Sequence, residues 1–237
     1  PLSEAVMLPR MRGDLTHYGR LRLWGSVGFI VAVSVTGQLL DWFSVALVPW
    51  IALLLLALVL VAALKMREAE QPPAMHRPVA LVELLRRREV IAFFVSTFLM
   101  ILAHAAVYVY LSLFLAEIGY SKTMIGLMWS LGVIAQIVFF FWQAPLFARF
   151  GVERLMIASL LIGVVRFLMI GFCAESLAWL LLAQVLHAAT FGAHHSASVA
   201  TLQRWFAGPL QARGQALFIS ISYGLGGSSG GLLCGQA

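Results

Sequence analysis

The chain has 237 residues, of which 62% are hydrophobic and only 11% are charged. A mean hydropathy of +0.94 would leave a water-soluble protein with far more exposed apolar surface than such proteins carry. The formal net charge is +6, but no basic patch alternates with aromatic residues, so we do not expect binding to nucleic acid.

Seven apolar stretches of roughly bilayer-spanning length occupy most of the sequence. An α-helix rises about 1.5 Å per residue, so about 20 residues cross the roughly 30 Å hydrocarbon core of a membrane. We therefore predict an all-α protein, a polytopic transmembrane helical bundle. The predicted spans are 23–43, 46–64, 90–115, 123–144, 155–173, 177–200 and 215–234.

The positive charges lie in alternate connections between these spans. Of the 16 Lys and Arg residues, only Lys122 and Arg166 lie elsewhere, Lys122 in a connection on the other side and Arg166 inside a span. By the positive-inside rule the richer side faces the cytoplasm. Connections 116–122 and 174–176 then face the opposite side. The predicted cytoplasmic connections are 65–89, 145–154 and 201–214.

The largest connection, 65–89, divides two spans from five and suggests two bundles. Prolines such as Pro72 and Pro78 interrupt helix there, and charged residues keep this segment in water. Its last part, 79–89, has apolar residues at helical spacing, which is consistent with a short interfacial helix.

The last span is rich in glycine. Gly226 and Gly230 form one pair at four-residue spacing, and Gly227 and Gly231 form a second. Glycine at this spacing lets helix backbones approach closely in lipid. We favour tight helix packing as the interpretation. A role in contacting substrate and bending of a gating helix are the alternatives.

Arg166 lies in the middle of the fifth span, too deep to reach water easily. A charge at this depth is costly, which marks the residue as a functional candidate. No Asp or Glu in the sequence lies at a comparable depth, and Asp41, Glu117 and Glu175 all lie at or beyond the outer rim. The counter-charge then comes from other helices, from a rim residue that reaches inward, or from a bound anion. A purely structural pairing is the alternative.

The sixth span carries most of the remaining polar residues. At 100° per residue His187, His194 and Ser198 lie on one face, with Gln184 at its edge. His187 and His194 are too far apart along the axis to bind one metal ion. We expect proton handling or hydrogen bonding to a ligand. Helix-to-helix hydrogen bonds are the alternative, and we favour that interpretation for His195.

His104 and Gln136 are single polar residues in the third and fourth spans, and each is equally consistent with packing and with lining a pathway. Three aromatic residues lie nearby, Tyr108, Tyr110 and Trp129. They could stack an aromatic ligand, and the alternative is that they pack against other helices or face lipid. The sequence has no phosphate-binding glycine loop, catalytic triad spacing or zinc-protease helix, and its two cysteines lie at or inside apolar spans. We therefore expect no enzymatic activity and no cofactor.

Five short segments together resemble one family. They are 18–26, 103–106, 129–133, 164–166 and 184–187. In this order they resemble major facilitator superfamily transporters, and most closely the phenylpropionate permease branch, which is related to the oligosaccharide:proton symporters. The resemblance implies a partial major facilitator fold in which the seven spans are helices five to eleven of twelve.

The same resemblance implies a domain organisation. Residues 1–64 would end the N-terminal six-helix half with helices five and six, 65–89 would link the halves, and 90–237 would be helices seven to eleven of the C-terminal half. Because Pro1 is not an initiator residue and the chain stops after a glycine-rich span, we expect it to be an internal piece of a longer protein.

In the oligosaccharide:proton symporters an Arg on helix nine and a His and a Glu on helix ten take part in proton coupling. Arg166 and His187 match the first two by position and type. The Glu corresponds to Thr190, which cannot carry a proton, so His187 or a residue outside this chain would have to substitute. Segment 148–154 resembles the second copy of the family's cytoplasmic loop motif, with Ala148 at its acidic position.

The resemblance implies secondary active transport by alternating access. We expect proton-coupled symport of a small organic solute, with an aromatic carboxylate favoured, by a protein that is monomeric at full length and lies in the lipid bilayer of the cell (inner) membrane. A nucleoside or sugar symporter is the first alternative, and a transport-inactive membrane sensor or truncated pseudo-transporter is the second. The predicted pathway residues are Arg166, His187, His194, Gln184, His104 and Gln136.

Overall fold

A computed structural model describes residues 24–32, 35, 39, 45–65 and 81–235. Throughout these ranges every regular element is helical. The predicted basic loop before the first span, Asp41 and most of the predicted linker lie outside the described residues.

Eight helices follow one another in the described part of the chain. They are α1 (24–32), α2 (Val48–Leu64), α3 (Leu81–Leu85), α4 (Arg88–Glu117), α5 (Lys122–Phe150), α6 (Val152–Cys173), α7 (Leu177–Trp205) and α8 (Gln211–Cys234). Short 3-10 turns at Val45–Leu47 and Gly208–Leu210 lead into α2 and α8. Helix α7 contains a π-helical segment, Ala188–Ala193, and α8 contains another, Ile219–Gly226.

Helices α4 to α8 are long and apolar enough to cross a membrane. They correspond to the last five predicted spans, and the apolar but shorter helix Pro49–Leu64 corresponds to the second. The first predicted span is described only in part, mainly as α1. The prediction of an all-α, multi-pass membrane bundle is confirmed.

The predicted connection at 145–154 is wrong in its extent. Helix α5 continues through Pro145 to Phe150, and only Gly151 separates it from α6. Transmembrane helices tolerate proline because neighbouring groups compensate for its missing N–H. Gly151 has φ +79°, a backbone angle that glycine adopts without strain and that allows this one-residue turn.

The predicted interfacial helix at 79–89 is shorter than expected. Within the described residues of this segment it comprises Leu81–Leu85, with Leu84 buried, and it ends before Arg86. The chain is extended at Arg87 and then enters α4, so the end of the predicted segment belongs to a transmembrane helix. The assignment of residues to two halves stays a prediction.

Glycines bring α8 directly onto α4. A Cβ atom added to Gly226 would lie 2.8 Å from the backbone oxygen of Phe98, and one added to Gly230 would also collide with α4 backbone. At Gly227 and Gly231 the same atom would meet nothing within 4 Å among the described residues. The packing prediction is therefore confirmed for the first glycine pair, whereas the second pair makes no such contact within the described helices.

Two apolar clusters bracket a polar layer at the middle of the bundle. On α4 the clusters use residues within 90–94 and 107–115, and on α7 they use 180–183 and 202–206. The residues between these ranges include the buried polar side chains His104, Gln184 and Thr190. The polar groups of the membrane helices thus lie in a layer between two apolar clusters.

Candidate functional site

Arg166 is buried in the polar layer, with 1% of its surface exposed. Its Nε donates to the carbonyl oxygen of Ala183 at 2.9 Å. Its Nη1 lies 3.2 Å from His104 Nε2 and donates to Thr190 Oγ1 at 3.2 Å. We call Arg166, His104 and Thr190 the buried polar cluster. Among the residues that the structure describes, no carboxylate pairs with Arg166.

The hydrogen bonds assign the tautomer of His104. Its Nδ1 lies 2.9 Å from the carbonyl oxygen of Met100, which can only accept, so Nδ1 carries the hydrogen and donates. Nε2 is then free to accept from Arg166 Nη1, and Thr190 Oγ1 is 3.3 Å from the same nitrogen. A second proton on Nε2 would point at the N–H of Arg166, and the two donors would repel each other, so His104 is neutral in this arrangement. In this arrangement the cluster holds a single positive charge, on Arg166.

A cavity of about 640 Å³ lies between α1, α4, α5 and α7. This volume is typical of sites for small organic molecules. The lining includes Ser26 and Phe29 from α1, Tyr108 and Ser112 from α4, Trp129 and Gln136 from α5, and Gln184, His187 and Phe191 from α7. No Asp, Glu, Lys or Arg belongs to the described lining.

One wall of the cavity is an aromatic platform, formed by Tyr108 and Trp129. Their ring centroids are 5.8 Å apart and the rings are nearly parallel, at 21°. Trp129 Nε1 donates to Ser112 Oγ at 2.9 Å, which fixes the indole orientation. A flat ring in the cavity can stack against such a surface.

Gln184 and His187 each have a polar atom that forms no hydrogen bond with the described residues. Gln184 is 1% exposed and His187 6% exposed, yet Gln184 Nε2 and His187 Nδ1 have no hydrogen-bond partner among the described residues. Unpaired buried polar atoms are costly, and both residues line the cavity. A bound solute can therefore satisfy both atoms.

Gly132 brings α5 close to these two side chains. A Cβ atom there would lie 3.4 Å from Gln184 Oε1 and 3.5 Å from His187 Cδ2. These are ordinary van der Waals distances, so Gly132 places the α5 backbone directly beside both side chains and helps to position them.

The structure separates the predicted pathway residues into three places. Gln136, Gln184 and His187 line the large cavity. His104 and Arg166 lie behind its wall, where the His104 ring is 6.0 Å from that of His187, centroid to centroid. His194 lies on another side of α7, where its Nδ1 is 2.9 Å from Ser159 Oγ on α6.

The predicted polar stripe on α7 is therefore wrong in its register. The rings of His187, Phe191 and His195 stack instead, with successive centroids 5.4 and 6.0 Å apart and planes 10° and 6° from parallel. The π-helical segment adds residues to the turn, which changes the face on which later side chains lie. The preferred interpretation of His195 is confirmed, since its Nδ1 is 2.9 Å from Tyr223 Oη on α8.

Sequence reasoning missed Ser112, Gly132 and Phe191. Serine, glycine and phenylalanine are ordinary residues in membrane helices, so their type carries no signal of a site. A glycine that faces Gln184 and His187 can be recognised only when the pairing of α5 with α7 is known.

The model of the MFS_1 like family matches residues 1–237. The chain belongs to this family. The predicted family resemblance is confirmed, and the transmembrane bundle described above is a multi-pass membrane protein of that family.

Three curated relatives are similar to the chain. It is 31% identical over 205 residues to "Probable 3-phenylpropionic acid transporter" of Escherichia coli (strain K12), covering 84% of the chain and 53% of the relative. It is 30% identical over 232 residues to "Maltose permease" of Geobacillus stearothermophilus, covering 95% and 57%. It is 25% identical over 228 residues to "Uncharacterized transporter YwbF" of Bacillus subtilis (strain 168), again covering 95% and 57%. The chain thus spans about half the length of these relatives. No solved structure matches it significantly.

Proposed function

We propose that the full-length protein is a secondary active transporter of the cell membrane, rather than an enzyme. It moves a small organic solute by alternating access and acts as a monomer. The observation that carries this proposal is the cavity in which unpartnered Gln184 and His187 atoms face an aromatic platform. Helix α1, from the predicted N-terminal half, contributes to a cavity lined mostly by the predicted C-terminal half, as a rocking-bundle mechanism requires.

The favoured solute is an aromatic carboxylate. Its ring stacks on Tyr108 and Trp129, and its carboxylate accepts hydrogen bonds from Gln184 Nε2 and from the His187 ring. Arg166 supports this assignment because its charge has no carboxylate partner within the described helices, so it favours an anion nearby. The relative named as a probable 3-phenylpropionic acid transporter is consistent with this solute class.

A sugar is the second candidate. The described lining is uncharged, and the amides of Gln136 and Gln184 with several serine hydroxyls are groups that bind sugar hydroxyls. Aromatic rings also pack against the apolar faces of sugars. The similarity to a protein named maltose permease favours this candidate.

We assign proton coupling to His187. His187 is the histidine in the described lining of the large cavity, and Thr190 stands where the related symporters place a proton-carrying Glu. A proton on the imidazole adds an N–H donor for an anionic solute, so proton and solute binding reinforce each other. Release of the solute to the other side then favours release of the proton.

Uptake by the full-length protein in proteoliposomes tests the proposal. An inward proton gradient should drive accumulation of labelled 3-phenylpropionate, and a protonophore should abolish it. His187→Gln should lose accumulation while retaining solute exchange, which does not require an empty deprotonated carrier. Uptake of maltose or a nucleoside instead would support the first alternative. If the gradient drives uptake of none of the tested solutes, the proposal is overturned in favour of an inactive membrane protein.

A further inference from the structure

A second, much smaller cavity lies between α4, α7 and α8, apart from the large one. Its volume is about 10 Å³, close to the smallest space that holds one water molecule. The polar residues in its lining are Thr97, Thr190, His194, His195 and Tyr223. A buried water needs two to four polar partners, and this lining provides them.

His194 has one nitrogen that requires a hydrogen-bond donor. The Ser159 hydroxyl donates to the carbonyl oxygen of Met156 at 2.7 Å, so the 2.9 Å contact between Ser159 Oγ and His194 Nδ1 must be donated by the imidazole. In neutral His194 the other nitrogen, Nε2, is then a bare acceptor. It has no partner among the described residues, and the side chain is 4% exposed. A water O–H in the cavity would satisfy it.

Phe191 and Thr190 determine how this cavity communicates with the large one. The Phe191 ring is stacked between those of His187 and His195, so it closes the direct path between these two histidines. Thr190 belongs to the buried polar cluster and also lines the small cavity. Its hydroxyl therefore connects the two regions around Phe191.

We propose that one water in the small cavity bridges Thr190 and His194, and that this water with the His195–Tyr223 pair forms a proton route. The route leads from the buried polar cluster along α7 toward Trp205, the end that the charge pattern predicts to be cytoplasmic. The inference rests on the proposed proton coupling and adds the path by which the proton leaves.

Each step conserves protons. The Thr190 hydroxyl gives its proton to the water while its own oxygen takes the proton that protonated His187 releases, and the water gives a different proton to His194 Nε2. At each oxygen one O–H bond breaks as another forms, and the net change is one N–H bond broken at His187 and one formed at His194. When His194 returns that proton through the water, Tyr223 accepts it at its oxygen and passes its own hydroxyl proton to His195 Nδ1, 2.9 Å away. The ionisable groups near this path are His104 from α4, Arg166 from α6, His187 and His195 from α7, and Tyr223 from α8.

Paired tyrosine variants of the full-length protein test the route. Tyr223→Phe removes the hydroxyl beside His195, while Tyr110→Phe removes a hydroxyl that donates to the Gly231 carbonyl oxygen at 3.2 Å and touches none of these histidines. With 3-phenylpropionate as the probe, and maltose as the second probe, Tyr223→Phe should slow proton-driven accumulation at least tenfold and leave counterflow unchanged. Tyr110→Phe should leave both unchanged.

The outcomes separate this inference from the proposed function. Normal accumulation by Tyr223→Phe, or equal loss of accumulation and counterflow, overturns the route. Wild-type protein that shows counterflow without proton-driven accumulation overturns the proposed coupling, and the route with it.

A structure of the full-length protein that resolves ordered waters tests the water without any solute. A water about 3 Å from His194 Nε2 supports the proposal, whereas a closed cavity without one overturns it.

Discussion

Arg166 is a permanent cation held by neutral groups. Burying a charge without a counter-charge is costly, and hydrogen bonds to a carbonyl, an imidazole and a hydroxyl recover only part of that cost. Its acceptors are Ala183, His104 and Thr190. Within the described residues no carboxylate compensates this charge, which raises the electrostatic potential of the neighbouring cavity and supports the proposal of an anionic solute there.

This residue should therefore discriminate between charged and neutral solutes. Two unit charges about 10 Å apart at an effective dielectric constant of about 20 interact by roughly 1.7 kcal/mol, or somewhat more than tenfold in affinity. In the full-length protein Arg166→Gln should weaken binding of 3-phenylpropionate by about tenfold and change maltose binding little. Isothermal titration calorimetry in detergent measures both affinities.

Arg166→Lys is the matched control for that experiment. It keeps the charge but loses the planar fork that reaches three acceptors, so it should restore part of the carboxylate affinity. Equal effects of Arg166→Gln on both solutes would contradict the electrostatic role and would assign Arg166 to structure alone.

Among the elements, α7 shows where sequence reasoning succeeds and where it stops. Its position follows from hydropathy. Because burying polar groups in lipid is costly, the sequence predicts that Gln184 and His187 face a cavity or a neighbouring helix, and both line the large cavity. The π-helical segment Ala188–Ala193 could not be predicted, because a pattern analysed at 100° per residue assumes a uniform helix. His194 therefore lies away from the cavity in which it was expected.

Helix α8 gives a second comparison at this scale. The sequence offered two equivalent glycine pairs, and only knowledge of the partner helix shows that Gly226 and Gly230 face α4. Likewise, the helical extension past Pro145 could not be foreseen from a residue that usually ends a helix. Neighbouring helices, which a single sequence does not reveal, decide these outcomes.

The glycine contact makes a prediction about stability. Gly230→Ala should destabilise the full-length protein by about 1–3 kcal/mol, because the added methyl group collides with α4 backbone. Gly231→Ala is the matched control, since its methyl group meets nothing within 4 Å and alanine favours helix by about 1 kcal/mol. Thermal unfolding in detergent should show a lower midpoint for the first variant and an equal or higher one for the second. Equal midpoints would contradict the close packing of α8 on α4.

For the whole molecule, the direction of the proposed transport depends on its orientation across the membrane. The charge pattern predicts that Glu70 and Ala207 lie on the cytoplasmic side and Ile118 on the other. In cells that express the full-length protein without other accessible cysteines, Ile118→Cys should react with a membrane-impermeant maleimide. Glu70→Cys and Ala207→Cys should react only after permeabilisation. The reverse pattern would invert the predicted orientation.

The proposed function requires that the solute occupies the cavity between α1 and helices α4, α5 and α7. Gly126 lines this cavity, and a Cβ atom added there would meet nothing within 4 Å among the described residues, so we expect Gly126→Phe to place its ring in the site with little effect on the fold. Gly171 on α6 is equally open but lies outside the cavity lining, which makes Gly171→Phe the matched control.

The most direct measurement is equilibrium binding of the best-transported solute to these two variants of the full-length protein. Thermal unfolding and size-exclusion profiles should first show that both variants fold like the wild type. We expect Gly126→Phe to weaken binding by about a hundredfold or more, because its aromatic ring would occupy the solute's place, and we expect Gly171→Phe to bind normally. Wild-type affinity in folded Gly126→Phe would contradict the claim.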